Sequence, residues 1–219
     1  MSDPTSPSPA TPVVVPIRSL GPGHRERIAA HLLSLDEQDR YLRFGYAAND
    51  EQITRYVDEL DFERDDIFGI YNRKLELIAM AHLAFLVEAN TPNCAEFGVS
   101  VLKKARGRGF GQRLFDRAVV HARNEGVELL FIHALSENHA MLKIARNAGA
   151  KLERFGGETD AYLRLPPATI DTRMSELVEE QLAQANYQLK AQAKNFRDFL
   201  AGIQEVRKGV REGRHKSAQ

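Results

Sequence analysis

Apolar and polar positions alternate along this chain with two periods, one typical of β-strands and the other of α-helices. Short runs rich in β-branched and aromatic residues predict strands, and apolar residues spaced three or four apart predict helices. The predicted strands cover residues 13–17, 67–71, 75–87, 94–102, 127–134, 150–155 and 161–165. The predicted helices cover residues 28–35, 36–43, 50–60, 109–124, 138–147 and 170–214. This order predicts one domain in which helices pack on a sheet, followed by a single long helix.

The first and third predicted strands differ in where they fit in the sheet. Pro16 in the first strand cannot donate a backbone hydrogen bond, which predicts an edge position. Residues 75–87 are apolar at nearly every position, so we expect both faces of this strand to be covered and the strand to be central.

The long C-terminal helix carries a heptad pattern. Its apolar positions recur at seven-residue spacing over more than four heptads, which is the pattern of a coiled coil. One seam consists of Leu182, Leu189, Phe196, Ile203 and Val210, and the other of Val178, Ala185, Gln192, Phe199 and Val206. A helix of this length cannot pack along its whole length on a small domain, so we expect a homodimer formed through it. A helix folded back on the sheet is the alternative.

These patterns divide the chain into three parts. Residues 1–12 are rich in Ser, Thr and Pro and predict a disordered tail. Residues 13–168 form the predicted domain, and residues 169–219 hold the long helix and a basic tail.

Composition and charge exclude several classes of protein. Hydrophobic residues make up 43% of the 219 residues, enough for a core, and 30 basic residues balance 30 acidic ones. A net charge of zero gives no general attraction to nucleic acid or to an anionic membrane, and no apolar run approaches the roughly 18 residues of a membrane span. Cys94 is the only cysteine, which excludes an internal disulfide and a Cys-rich zinc site, and the seven histidines show no metal-ligand spacing. We therefore expect a cytoplasmic protein without a metal, a membrane span or a nucleic-acid partner.

The strongest chemical signal is a glycine-rich, basic loop between a predicted strand and a predicted helix. It consists of Arg106, Gly107, Arg108, Gly109, Phe110, Gly111 and Gln112. Glycines let the backbone approach a ligand and direct successive N–H groups at it, and a helix start adds unpaired N–H groups and a positive dipole end. The loop therefore predicts a phosphate or pyrophosphate site, with a solvated basic connection as the alternative. Its glycine spacing matches neither the Rossmann fingerprint nor a P-loop.

This loop and the order of elements around it resemble the GNAT superfamily of acetyl-CoA-dependent N-acetyltransferases. The family motif Gln/Arg-x-x-Gly-x-Gly/Ala, which binds the CoA pyrophosphate, corresponds to Arg106, Gly109 and Gly111. The resemblance covers residues 13–166, and segments 40–44, 95–101 and 141–146 look like the catalytic domain of bacterial Pat-type protein lysine acetyltransferases. It implies a GNAT fold, which is an α/β (α+β) domain with a mixed, mostly antiparallel sheet of six to seven strands flanked by helices.

The resemblance also implies acetyl-CoA as the co-substrate and gives roles to individual residues. Glu96, ten residues before Arg106, matches the glutamate that serves as general base in many members. A charge in this otherwise apolar strand would be costly to bury unless it is used or paired. The backbone of Val99 and Val101 would hold the pantetheine arm, and Asn138 would contact CoA alongside the loop. The alternatives are a solvated or salt-bridged Glu96 and a helix-capping Asn138.

One position departs from the family pattern. Many members have a Tyr seven residues after the helix-leading Asn, placed to protonate the leaving thiolate, and here Ala145 occupies that position. Tyr162 and Ser136 are weak substitutes.

Members that acetylate proteins commonly lack this Tyr, so we expect an amine acceptor that is a protein lysine. The acidic run at residues 58–66 would border the acceptor cleft. A small amine is the alternative acceptor, and a non-catalytic acyl-CoA-binding regulator is the alternative function.

Overall fold

The computed structural model of the protein describes residues 15–86 and 93–216, and for residues 193 and 195–216 only the helical backbone. Its strands are β1 (Arg18–Leu20), β2 (Asp66–Tyr71), β3 (Leu77–Leu86), β4 (Cys94–Val101), β5 (Leu129–Leu135), β6 (Lys151–Phe155) and β7 (Glu158–Arg164). Its helices are α1 (Arg25–Leu33), α2 (Glu37–Phe44), α3 (Asp50–Asp58), α4 (Phe110–Asn124), α5 (His139–Asn147) and α6 (Ile170–Lys216). Every predicted element except the first strand overlaps an observed element of the same type.

All strands in the described part of the chain form one seven-stranded sheet in the order β1-β2-β3-β4-β5-β7-β6. Neighbouring strands are antiparallel except β4 and β5, which run parallel and pair only over residues 94–96 and 129–131. The mixed, mostly antiparallel sheet with flanking helices confirms the predicted fold class. β3 lies between β2 and β4 with residues 77–81 all buried, which confirms its central position.

The predicted position of the first strand, residues 13–17, is wrong. Residues 13 and 14 lie outside the described residues, residues 15–17 are not in a strand, and pairing starts at Arg18 opposite Gly69. Pro16 accounts for the shift, because a proline has no N–H to give to the ladder. β1 does occupy an edge of the sheet, as the proline predicted.

Two hydrophobic cores cover the two faces of the sheet. One core joins the central strands to α4 and α5 around Phe97, Phe115 and Leu130. The other joins β1, β2 and β3 to α1 and α3 around Ile28 and Ile53. The two faces of β4 therefore pack against different layers, with α4 on one side and the α1–α3 layer on the other.

A capping box fixes the start of α3 at Asp50, the first residue of the predicted helix. The side chain of Asn49 caps this helix by accepting from Gln52 N–H at 2.8 Å. The Gln52 side chain in turn accepts from Asn49 N–H at 3.0 Å. This reciprocal pair satisfies two backbone donors that the first helical turn leaves free.

The long helix α6 folds back on the domain over its first half and is anchored to α4. Glu176 accepts hydrogen bonds from Arg117, His121 and Asn124 of α4. The Arg117 bond is 2.6 Å long, and this guanidinium is only 3% exposed. Tyr187, three turns further along α6, packs edge-on against a tyrosine of β2, with ring centres 5.3 Å apart.

The face by which α6 docks is opposite the predicted heptad stripe. Ala183 is buried against the domain, whereas Leu182 and Leu189 are 53% and 65% exposed. At about 100° per residue, Val178 and Ala185 lie about 200° around the helix from Glu176 and Ala183. The described positions of the apolar stripe, up to Gln192, therefore face away from the domain. Five of its predicted positions lie outside the described side chains, namely Phe196, Phe199, Ile203, Val206 and Val210. None of the described helices is long and apolar enough to cross a membrane.

Candidate active site

The gap between β4 and β5 is the centre of the candidate site. Pairing of β4 with β5 ends at Glu96, whereas its pairing with β3 continues to Val101. The N–H of Leu102 donates to Ile78 O on the β3 side at 3.0 Å, and the direction of backbone groups alternates along a strand. The N–H and C=O groups of Val99 and Val101 therefore point toward β5, at an edge with no partner strand among the described residues.

The glycine-rich loop lies beside this open edge. Gly107 and Gly109 both have a φ of 73°, a left-handed conformation that glycine adopts without strain. Gly109 is the N-cap of α4, and the first helical hydrogen bond runs from Arg113 N–H to Gly109 O at 3.1 Å. The N–H groups of the first helical turn therefore have no acceptor within the helix, and they belong to Phe110, Gly111 and Gln112. Together with the positive dipole end, they form a donor set that suits an anion.

Two basic side chains of the loop, those of Arg106 and Arg108, already contact other groups of the protein. Arg106 Nη2 forms an ion pair with Asp39 of α2 at 2.5 Å, and its Nε donates to Val101 O at 3.1 Å. The Arg108 guanidinium lies 4.9 Å from the centre of the Phe110 ring. Because Asp39 neutralises Arg106 in part, the charge available to a phosphate is smaller than the sequence indicates.

A cleft of about 520 Å³ runs along the gap, and its walls are β4, the loop and helices α2, α4 and α5. Every predicted cofactor-binding residue lines it except Arg108. Asn138 is the N-cap of α5, as the alternative for it predicted, because its Oδ1 accepts from Met141 N–H at 3.1 Å. Its Nδ2 donates to Leu42 O of α2 at 3.3 Å, so this side chain bridges two walls of the cleft. Contact of these residues with CoA stays a prediction.

Glu96 is the last residue of β4 that pairs with β5, and the two strands separate after it. It shares a strand face with Gly98 and Ser100, and Ser100 Oγ is hydrogen-bonded to His31 Nε2 of α1 at 2.8 Å. Glu96 thus lies on the α1–α3 side of the sheet. Its side chain is exposed, so this position does not bear the cost of burying a charge. Glu96 does not line the cleft itself, and its role as base stays a prediction.

The two candidate substitutes for the general acid lie outside the cleft. Ala145 is fully buried at the position where the family has its Tyr. Tyr162 packs against Phe131 with ring centres 5.2 Å apart. Ser136 Oγ is hydrogen-bonded to Thr159 Oγ1 at 2.8 Å. Neither Tyr162 nor Ser136 is among the residues that line the cleft.

The acidic run at residues 58–66 has structural contacts within the domain. Asp65 is buried and accepts a hydrogen bond from His82 at 3.1 Å, and Asp66 accepts one from His121 at 2.7 Å. Among the described residues, no three His, Cys, Asp or Glu side chains are grouped as metal ligands. The thiol of Cys94 is free and half-buried.

Sequence reasoning missed the wall of the cleft that α2 forms. Asp39, Leu42 and Arg43 line the cleft, and Asp39 is buried although it is charged. The signal that could have found this wall is the four-residue spacing of Asp39 and Arg43, which puts both on one face of a helix.

Comparison with known proteins identifies the family. Residues 31–150, more than half of the chain, match the model of the acetyltransferase (GNAT) family. The chain belongs to the GNAT family of acetyltransferases. It is an N-acetyltransferase, and the co-substrate of its family is acetyl-CoA.

Solved structures share the fold of this GNAT acetyltransferase. The GNAT domain of PAT from S. lividans matches with a TM-score of 0.58 at 21% identity, over 68% of this chain and 89% of that one. A ribosomal-protein-alanine N-acetyltransferase from Brucella melitensis matches with 0.55 at 16% identity, over 68% and 99%. A GNAT-family acetyltransferase from Streptococcus pneumoniae matches with 0.56 at 11% identity, over 68% and 98%. At these identities the likeness shows the fold, and the acceptors do not carry over.

Proposed function

We propose that this GNAT acetyltransferase binds acetyl-CoA along β4 and transfers the acetyl group to a lysine side chain of another protein. The observation that carries the proposal is the edge of β4 at Val99 and Val101, which has no partner strand among the described residues and leads to the N–H groups at the start of α4. A pantetheine arm offers amide groups to such an edge as a missing strand would, and a pyrophosphate suits a helix N-terminus. Loop residues 106–112 and Asn138 complete the proposed cofactor site.

Glu96 is the proposed general base. An amine attacks only when it is neutral, so the acceptor ammonium must first lose a proton. Glu96 takes that proton directly or through a water. The amine nitrogen then bonds to the thioester carbon, and the tetrahedral intermediate collapses with loss of the CoA thiolate.

The exposure of Glu96 supports a protein lysine over a small amine as the acceptor. A carboxylate at the domain surface is within reach of a lysine on a folded partner. A small amine would instead suit an enclosed pocket that buries most of its surface. The likeness of segments 40–44 and 141–146 to Pat-type enzymes supports the same acceptor class.

We further propose that α6 joins two copies of the chain. Val178, Leu182 and Leu189 are exposed on the side of α6 that faces away from the domain. Burial of each large apolar side chain contributes roughly 1.5–3 kcal/mol, and a second copy is always present at equal concentration. On this proposal residues 13–168 are the catalytic domain, residues 169–219 are the dimerising extension, and residues 1–12 are a tail. The single free cysteine supports a reducing cytoplasm as the place of action.

A screen of acceptors for acetyl-CoA consumption tests the proposed function. The full-length protein is incubated with acetyl-CoA and with acyl-CoA synthetases, lysine-containing peptides or small amines. We expect CoA release with proteins or peptides, and acetyl-lysine in them by mass spectrometry. Release with small amines alone would favour the alternative acceptor. Acetyl-CoA binding without turnover on any acceptor would favour a non-catalytic acyl-CoA-binding regulator.

A further inference from the structure

Arg43 of α2 lies against the backbone of β4 in the wall of the cleft. A Cβ atom placed on Gly98 would lie 2.8 Å from Arg43 Cζ and 2.8 and 2.9 Å from its two terminal nitrogens. These similar distances mean that the flat guanidinium fills the space that glycine leaves. Gly98 directly precedes Val99, whose backbone faces the gap. The guanidinium is therefore adjacent to the edge of β4 along which the proposed pantetheine arm lies.

A chain of half-buried and buried groups fixes this guanidinium. Arg43 Nη2 donates to Tyr56 Oη at 3.1 Å, Tyr56 Oη is 2.7 Å from His82 Nδ1, and His82 Nε2 is 3.1 Å from Asp65 Oδ2. Arginine can only donate and an ionised carboxylate can only accept. The hydroxyl of Tyr56 therefore donates to Nδ1, and His82 donates from Nε2. Each group in the chain has a partner, and the chain ends on a carboxylate that is 5% exposed.

No carboxylate among the described residues pairs with Arg43, whose guanidinium lies 5.2 Å from the ring centre of Phe44 and 5.7 Å from that of Tyr56. Arg43 takes part in none of the ion pairs between described side chains. The titratable groups linked to Arg43 by this chain or by its charge are Tyr56 on α3, His82 on β3, Asp65 before β2 with its ion-pair partner Arg64, and His31 on α1. Glu96 lies on the same strand face as Gly98. Burial lowers the pKa of His31 to about 4, and burial and the Arg43 charge together lower the pKa of His82.

Because both pKa values are lowered from 6.5, both histidines are neutral at neutral pH and place no second cation beside the Arg43 guanidinium. Arg106, another arginine in the cleft wall, differs because it is paired with Asp39. Hydrogen bonds of the described residues use only Nη2 of the Arg43 guanidinium, so its remaining donors are unused. The cleft thus contains a cation whose position is fixed in advance and whose charge is available to an anion.

We propose that Arg43 stabilises the CoA thiolate that leaves during acetyl transfer, and so replaces the general acid that is missing at Ala145. This rests on the proposed function, because it requires the thioester beside β4. The new C–N bond forms, the C–S bond breaks, and the bonding pair stays on sulfur while the amine proton goes to Glu96. The guanidinium balances the sulfur charge without giving up a proton. Arg43 is then a catalytic residue, and Tyr56, His82 and Asp65 are positioning residues.

The pKa of the CoA thiol bound to the full-length protein tests this inference without an acceptor. CoA and desulfo-CoA are titrated onto the protein from about pH 6 to about pH 9.5, a range that spans the ionisation of a thiol, and thiolate absorbance is followed in the ultraviolet. We expect the pKa of the bound thiol to fall by about one to three units. The ratio of CoA affinity to desulfo-CoA affinity should rise with pH over the same range, because desulfo-CoA has the phosphates but not the sulfur.

Variants separate the charge of Arg43 from its position. Arg43→Gln should remove the shift, and Arg55→Gln, the same change on an exposed residue of α3, should keep it. Gly98→Ala should reduce the shift, because the added methyl group displaces the end of the Arg43 side chain and leaves its charge. Tyr56→Phe should also reduce it, because it removes the hydroxyl that orients the guanidinium.

Two outcomes would overturn the inference while CoA still binds. One is a bound thiol with an unshifted pKa in the unmodified protein, and the other is the same shift in Arg43→Gln. Arg43→Lys provides a check on folding, since it keeps the charge and should keep part of the shift. Failure of both CoA and desulfo-CoA to bind the full-length protein would overturn the proposed function, and this inference with it.

Discussion

At the scale of single residues, the left-handed glycines of the 106–112 loop determine which backbone groups face the cleft. Gly109→Glu puts a carboxylate where the pyrophosphate is expected, so we predict that acetyl-CoA no longer raises the melting temperature of the protein, as it should by mass action. Gly126→Glu is a matched control, because Gly126 has a φ of 79°, has open space around it and lies beyond the other end of α4. Differential scanning fluorimetry measures both. Equal stabilisation of the two variants by acetyl-CoA would contradict the pyrophosphate site.

The proposed base is also testable at a single residue. Glu96→Gln keeps the shape of the side chain and removes its ability to take a proton. We expect turnover to fall about 10²-fold at neutral pH, with partial recovery at high pH as the amine deprotonates by itself. Acetyl-CoA binding should not change. Glu128→Gln, an exposed glutamate just before β5, is the control. Normal turnover of Glu96→Gln with a cognate acceptor would mean that another group is the base.

At the scale of elements, α4 and α6 meet at a cluster of charged side chains, and the stability that this cluster contributes depends on pH. Burial disfavours the charge on His121, but its hydrogen bonds to Asp66 and Glu176 outweigh burial and raise its pKa from 6.5 to about 9. Burial would also raise the pKa of Glu176, but bonds from His121, Asn124 and Arg117 lower it from 4.5 to about 2. The His121 contribution is complete below pH 6.5 and is lost as pH rises through about 9. The Glu176 contribution is complete above pH 4.5 and is lost as pH falls through about 2.

We therefore predict that the cluster stabilises the docked helix most between about pH 4.5 and about pH 6.5. Glu176→Gln should lower the free energy of unfolding by on the order of 2 kcal/mol in that range, because it removes the shortest ion pair of the buried Arg117. Glu179→Gln should change it by less than about 0.5 kcal/mol, since that carboxylate is exposed and 3.9 Å away. Chemical denaturation at several pH values measures both variants. An equal loss in the two, or a loss that does not depend on pH, would contradict this account.

At the scale of the whole molecule, the outward stripe of α6 determines the expected assembly. We predict that light scattering of the full-length protein at micromolar concentration gives a dimer mass. Leu189→Ser should produce a monomer that still binds acetyl-CoA, and Leu177→Ser should not, because Leu177 lies off the seam although it is 57% exposed. A monomer mass for the unmodified protein would contradict the homodimer. Removal of the helix after Pro167 is a less clear test, because it also takes Glu176 away from the buried Arg117.

The sequence by itself determined the kind and order of the elements and the glycine-rich loop. Strand and helix periods, turn residues and helix caps depend on neighbours a few residues apart, so they can be read locally. Asn138 shows this well, because its capping role follows from its position before α5. Even the misplaced first strand had a local cause in Pro16.

Only the tertiary structure decided how these elements meet. The heptad pattern predicted an apolar stripe on α6, whereas the helix docks by the opposite face through Glu176 and Arg117, which are 59 residues apart. Glu96 is exposed although its neighbours in the strand, Ala95 and Phe97, are buried. Arg43 meets Gly98 only because α2 packs on β4. Such contacts depend on which surfaces come together in three dimensions. A one-dimensional pattern shows whether a surface is apolar or polar, but it does not show which other surface packs against it.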